Sequence, residues 1–171
     1  MKYTVVDGHC DTPMELWLRQ ENLRSNTCQV SLERAKKLSG YVQFYAFCTV
    51  WLEQDGSFEA HYAAALEHFN RQLDENKDQI VRCKNEADAR AAIGSGKCGA
   101  FLSIEGAEAI SCDPGKLELA CAQGVRMIAP AWNAQNALTG SCMTGGGLTA
   151  QGKEFVRRAQ KLGMILDVSH I

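Results

Sequence analysis

Tyr3-Thr4-Val5-Val6-Asp7-Gly8-His9-Cys10-Asp11 opens the chain with an apolar, β-branched run that stops at three chemically capable residues. The run from Tyr3 to Asp7 reads as a β-strand. Side chains alternate along a strand, so His9 and Asp11 fall on one face and Cys10 on the other. A neutral imidazole and a carboxylate side by side at a strand end suit a borderline metal such as Zn²⁺. An isolated His-x-Asp is more often a capping histidine and a loop aspartate, so the rest of the chain has to decide.

Further strand-like runs follow at Tyr41 to Val50, Gly99 to Ile104, Val125 to Ala131 and Met164 to Val168. The stretches between them read as helices. Phe58 to Asn76 carries Tyr62, Ala65, Leu66, Phe69 and Leu73 at helical spacing with charges opposite, and Glu86 to Ile93 offers a shorter helix. Glu154 to Leu162 is a third, with Thr149 as its N-cap and Gly163 as its stop. Gly94-Ser95-Gly96-Lys97-Cys98-Gly99 matches the glycine spacing of a dinucleotide fingerprint, but a helix precedes it and a strand follows, the reverse of what that site needs. It reads as a helix-to-strand turn.

Strands joined by helices imply a parallel sheet, and strands apolar nearly throughout imply cover on both faces. The fold class expected is therefore α/β. A (β/α)₈ barrel of the TIM type spends roughly 30 residues per unit, so five runs in 171 residues amount to an incomplete barrel of about five β/α units. On this reading residues 1–171 form a single domain, the N-terminal part of such a barrel. An open five-stranded doubly wound sheet is the alternative.

Composition narrows the partners. With 46% hydrophobic and 22% charged residues the chain can bury a sizeable core, and a net charge of −2 gives no nucleic-acid or anionic-membrane footprint. No run of about 18 apolar residues is present to span a membrane. The eight cysteines are scattered without a C-x-x-C pair, which argues against a structural zinc knuckle or a thioredoxin-like site. Together with an N-terminus that lacks a long apolar core, they point to a cytoplasmic location.

The chemically capable residues gather where strand runs end. The third run ends in Glu105-Gly106, the fourth in Trp132-Asn133 and the fifth in Asp167-Val168-Ser169-His170. That C-terminal edge is where barrels and open α/β sheets build their sites. Of four histidines, His9 and His170 lie there, while His61 and His68 sit seven apart on the charged helix and read as surface or packing residues. Ser169 and His170 are adjacent on an expected strand, face opposite ways, and so make no nucleophile and base pair.

Val6-Asp7-Gly8-His9-Cys10-Asp11-Thr12-Pro13, Leu102-Ser103-Ile104-Glu105-Gly106, Gly124-Val125-Arg126-Met127, Trp132-Asn133 with Asn136-Ala137-Leu138, Gly147-Leu148-Thr149 and Asp167-Val168-Ser169-His170 occur in this order. Jointly they resemble the membrane (renal) dipeptidase family of zinc peptidases, in its bacterial soluble branch. The resemblance implies a (β/α)₈ barrel with two Zn²⁺ ions that cleaves dipeptides through a metal-activated bridging hydroxide. It implies that His9 and Asp11 bind the first zinc, that Glu105 bridges both and that His170 binds the second. Two close metal ions need such a shared carboxylate, and they bring water's pKa toward about 7.

Glu108 competes with Glu105, but Glu105 ends the strand and carries the Glu-Gly of the family pattern. Asp7 and Asp167 are read as either orienting or structural hydrogen-bond partners, and Arg126 as facing away from the site. Where animal members place a substrate-contacting histidine, the resemblance puts Trp132, with Asn133 beside it, as substrate-binding residues; Trp132 reads equally as a strand-end aromatic that fills the barrel mouth. An indole stacks and donates one hydrogen bond but carries no positive charge. The family's second histidine on the second zinc, its carboxylate-gripping arginine and its proton-handling aspartate are expected beyond Ile171, which leaves the 171-residue chain possessing three ligands for one zinc and two for the other. Two alternatives stay open: another metal-dependent barrel hydrolase, such as a deaminase or lactonase, and a non-catalytic folded fragment whose sheet edge is covered by self-association as a homo-oligomer or by a partner.

Overall fold

The computed structural model describes residues 3–50, 52 and 58–171, in which strands and helices alternate as the periodicities require. In chain order the elements are β1 (Thr4–Cys10), α1 (Thr12–Arg19), α2 (Leu32–Ala35), β2 (Gly40–Phe47), α3 (Phe58–Glu75), β3 (Ile80–Arg82), α4 (Glu86–Gly94) and β4 (Cys98–Glu105). Two single-turn 3₁₀ helices, Ala107–Ile110 and Pro114–Lys116, lead to α5 (Leu117–Ala122), β5 (Val125–Ala129), α6 (Ala150–Lys161) and β6 (Ile165–Leu166). The pairings of β1 with β2, β3 with β4 and β5 with β6 are all parallel. The α/β class with a parallel sheet is thus as expected.

Two compact units make up the chain, residues 1–46 with 63–102, and residues 47–62 with 103–171. In the first, β2 lies between β1 and β4, and β3 pairs with the start of β4. Tyr45 of β2 is fully buried and its ring lies 4.8 Å from that of Phe69 on α3. Ala65, Leu66 and Leu73 extend the same buried stripe, so the spacing that forecast this helix is the face it buries. Asn85 caps α4 by accepting the Asp88 N–H at 2.9 Å. The glycine-rich 94–99 stretch joins the end of α4 to the start of β4, the helix-to-strand turn expected of it.

In the second unit, the end of β4 is followed by β5 and then β6. Phe155 on α6 is fully buried, as are Leu117 and Ile128. The Thr149 hydroxyl accepts the Gly152 N–H at 3.0 Å, and Gly163 takes φ 71° just past the last turn, so both ends of α6 close where the sequence placed them. Gly152 is needed at the first turn, since a Cβ there would stand 2.0 Å from the Leu138 carbonyl oxygen.

Five sequence expectations change, the first being that the strand expected from Tyr41 to Val50 stops at Phe47. β1 is not covered on both faces: Val6 is 66% exposed, and Tyr3, just before the strand, is 65% exposed, in keeping with an edge strand. β3 was not expected, because three residues are too few to show a period. The strand expected to run to Ala131 stops at Ala129, and that expected from Met164 to Val168 keeps only Ile165 and Leu166. His170 therefore lies in a turn, and the strand argument about Ser169 and His170 facing apart does not apply.

Candidate metal centre

Register, rather than simple alternation, aims His9. β1 pairs in step with β2 from Thr4↔Gly40 to Asp7↔Gln43, then resumes at Cys10↔Tyr45. Three residues on one strand thus span two on the other, a bulge at Gly8 and His9 of the kind that re-aims a side chain beside a site. The Asp7 carboxylate accepts the His9 N–H at 3.1 Å and braces the bulge. Asp11 lies just beyond the strand at the start of α1, where its carbonyl accepts the N–H groups of Met14 and Glu15.

Although only His9 lies on the strand, the two side chains do meet. His9 Nε2 and Asp11 Oδ1 are 3.4 Å apart, with both groups open to solvent. Two ligands held about 2.0–2.1 Å from one tetrahedral zinc stand roughly 3.3 Å from each other. The donor pair fits a divalent metal in both chemistry and span. Cys10 points inward, and burial pushes its thiol up to about 12, so it offers no thiolate at neutral pH.

The second unit presents a second pair. Glu105 ends β4 as expected and is only 7% exposed, a state a carboxylate rarely adopts without a partner. Its Oε1 stands 2.9 Å from His170 Nε2. Gly106 follows at φ 90°, and a Cβ there would come within 2.8 Å of both Glu108 Oε2 and Val50 Cγ2. Glycine is therefore what lets the chain turn away directly after the carboxylate.

His170 is brought in by a short turn after β6, in which the Asp167 carboxylate accepts the Ser169 N–H at 2.9 Å. Its Nδ1 lies 3.0 Å from Asn133 Oδ1, and its ring centroid is 6.1 Å from that of Trp132. Cys142 N–H donates to the His170 carbonyl at 2.7 Å. Asp7 and Asp167 thus play the same part: each ties down the backbone two residues on, next to a candidate ligand.

Trp132 and Asn133 lie in the irregular segment past β5, Trp132 half-buried and Asn133 exposed. The segment is shaped by Asn136. Its amide donates to Glu108 Oε1 and the Pro130 carbonyl, both at 2.8 Å, and accepts from the N–H groups of Leu138 and Thr139. Glu108, on the first 3₁₀ helix, is thus a brace for this loop. Arg126 donates to the carbonyls of Cys121 and Val125, and His68 is buried with Nε2 3.4 Å from the Glu21 carbonyl, both packing roles. The supports at Asn136 and Glu108 carry no sequence signal of their role, since hydrogen bonds between loops have no period.

Imidazole and carboxylate donors at or just past the strand ends of a parallel β/α frame define a candidate metal-binding protein of the α/β class. A profile of the membrane dipeptidase family (peptidase family M19) matches residues 1–171, and the chain belongs to that family. An uncharacterized protein in the PQQ-III 3′ region of Acinetobacter calcoaceticus is 32% identical over 108 residues, 58% of this chain and 34% of its own length. The dipeptidase tcpJ of Claviceps purpurea (strain 20.1) is 26% identical over 129 residues, 70% of this chain and 30% of its own length. A solved metallo peptidase from Rhodobacter sphaeroides, liganded with a phosphinate mimic of the dipeptide L-Ala-D-Ala, superposes with a TM-score of 0.82 at 21% identity. That match covers 100% of this chain and 60% of the other, so the chain spans about a third of its curated relatives and three-fifths of this structural one. The fold class inferred from the sequence agrees with this likeness. Among the described residues no helix is long and apolar enough to cross a membrane.

Proposed function

We propose that the chain supplies the metal-holding part of a zinc-dependent dipeptidase. The observation that carries this reading is the His9 and Asp11 pair, 3.4 Å apart in a family of dipeptidases. In this reading His9 and Asp11 would hold one zinc, His170 would hold a second, and Glu105 would serve both. When bound, the two ions supply Lewis-acid polarisation of the scissile carbonyl and the activation of water near neutral pH.

The remaining work falls to the chain's own groups. Glu105, short of solvent and close to His170, supplies negative charge where two cations would otherwise repel. Trp132 and Asn133 border the dipeptide, the indole as a flat wall and the Asn133 Nδ2 as a free donor. No residue is assigned as general acid or base. The substrate proposed is a dipeptide, in line with relatives that include the tcpJ dipeptidase and the peptidase that holds a dipeptide mimic.

Neither nucleic acid nor membrane is proposed as a partner, the net charge being −2. Eight free cysteines support a reducing, cytoplasmic compartment. Any dipeptide turnover by the 171-residue polypeptide is proposed to depend on zinc. The test is to assay it against a dipeptide panel as purified, after chelation and after zinc is restored. Any turnover should vanish with the chelator and return with zinc. Turnover that survives chelation would overturn the metal-dependent reading.

A further inference from the structure

A single stretch of chain touches the imidazole of His170 at two places and its backbone at a third. Asn133 Oδ1 lies 3.0 Å from Nδ1, the Trp132 ring lies beside it, and the His170 carbonyl accepts the Cys142 N–H at 2.7 Å. Asn133 is itself pinned. Its main-chain carbonyl accepts the hydroxyl of Ser141 at 2.7 Å, and Ser141 is only 3% exposed. Ser141 in turn accepts the Met143 N–H on the same oxygen, at 3.2 Å, and donates its own N–H to Thr144 Oγ1, at 2.9 Å.

A neutral imidazole carries one proton on two nitrogens, and the partner of one nitrogen decides what the other can do. An amide oxygen only accepts, so Asn133 Oδ1 requires the proton on Nδ1. Nε2 is then left with its lone pair, 2.9 Å from a Glu105 oxygen that is also an acceptor. Two acceptors facing each other at that distance suit a shared cation.

We propose that Asn133 is the positioning residue of His170: through its amide oxygen it fixes the Nδ1–H tautomer and the ring plane, so that Nε2 is presented as a metal donor. This rests on the reading of His170 as a zinc ligand. Asn133 needs only its oxygen for this task, and its Nδ2 stays free to face a substrate. Such outer partners of a ligand histidine typically change metal affinity roughly 10- to 100-fold when removed.

The experiment is zinc binding by competition with a chromophoric chelator, using zinc alone as the probe. Wild type, Asn133→Ala, Asn133→Asp and His170→Ala are compared, with long-range ¹H–¹⁵N spectra of the imidazoles in the zinc-loaded protein. Asn133→Ala should weaken the His170-dependent zinc roughly 10- to 100-fold. Asn133→Asp, which keeps an acceptor at the same place, should restore it. The His170 signals should show Nδ1–H in wild type and lose that protected proton in Asn133→Ala. Should His170→Ala weaken zinc while Asn133→Ala leaves affinity and spectrum unchanged, the positioning role is overturned and the ligand stands. Should His170→Ala change nothing, the ligand reading itself fails. An Nε2–H tautomer in the zinc-loaded wild type overturns the proposal directly. Asn133 is exposed, so the variants are expected to keep the wild-type urea midpoint, and a lost fold would contradict the purely local role.

Discussion

Replacing Gly106 by alanine tests whether the turn after Glu105 depends on the absence of a side chain. Two separate costs arise. At φ 90° an L-residue is strained, by about 1–2 kcal/mol. The new Cβ would also come within 2.8 Å of Val50 Cγ2 and of Glu108 Oε2. Val50 is buried, and Glu108 cannot simply swing aside because its other oxygen holds Asn136. Overpacking of this kind costs about 1–3 kcal/mol, which brings the total to about 2–5 kcal/mol. Gly163→Ala supplies the control, since Gly163 has φ 71° with nothing within 4 Å of a Cβ. Both substitutions stiffen the unfolded chain equally, so that effect cancels in the comparison. Urea unfolding followed by circular dichroism should place Gly106→Ala below Gly163→Ala by about 1–3 kcal/mol, with similar slopes. Equal midpoints for the two variants would refute the crowding argument at the strand end.

The loop that carries Trp132 and Asn133 should depend on one amide. Asn136→Ala leaves Glu108 Oε1, the Pro130 carbonyl and two N–H groups without their partner, and a loss of about 1–3 kcal/mol is expected in urea titrations. A change below about 0.5 kcal/mol would mean the amide does not hold the loop. Cys112 gives a pH signature: burial, reinforced by the negative charge of Glu108, pushes its thiol up to about 12 from an ordinary value near 9. The unfolded thiol gives up its proton first, so its contribution is complete below pH about 9 and is lost as pH rises toward about 12. The slope is about 1.4 kcal/mol per pH unit. Stability measured from pH 8 to 11 should thus fall less steeply in Cys112→Ala than in wild type, and parallel curves would rule the thiol out.

The frame was legible because its signals are periodic. The Tyr62, Ala65, Leu66, Phe69 and Leu73 stripe forecast α3 and its buried face, and Thr149 with Gly163 marked both ends of α6. β3 escaped notice since three residues carry no period, and β6 shrank because Asp167 captures the next backbone groups for a turn. His9 and Asp11 do meet as expected, but through a bulge and a helix start that alternation cannot encode. Glu105 was distinguishable from Glu108 by its place at the strand end. The clamp from Asn133 to His170 was not, because it joins residues 37 apart in sequence across two irregular segments.

Zinc bound per chain, measured by elemental analysis after dialysis against limiting zinc, probes the metal assignment most directly when wild type is set beside His9→Ala. His9 is exposed, so its loss should leave the fold intact while removing one of the two donors that stand 3.4 Å apart. The account predicts that wild type retains zinc and that His9→Ala loses the ion held with Asp11. Equal zinc in the two proteins would contradict it.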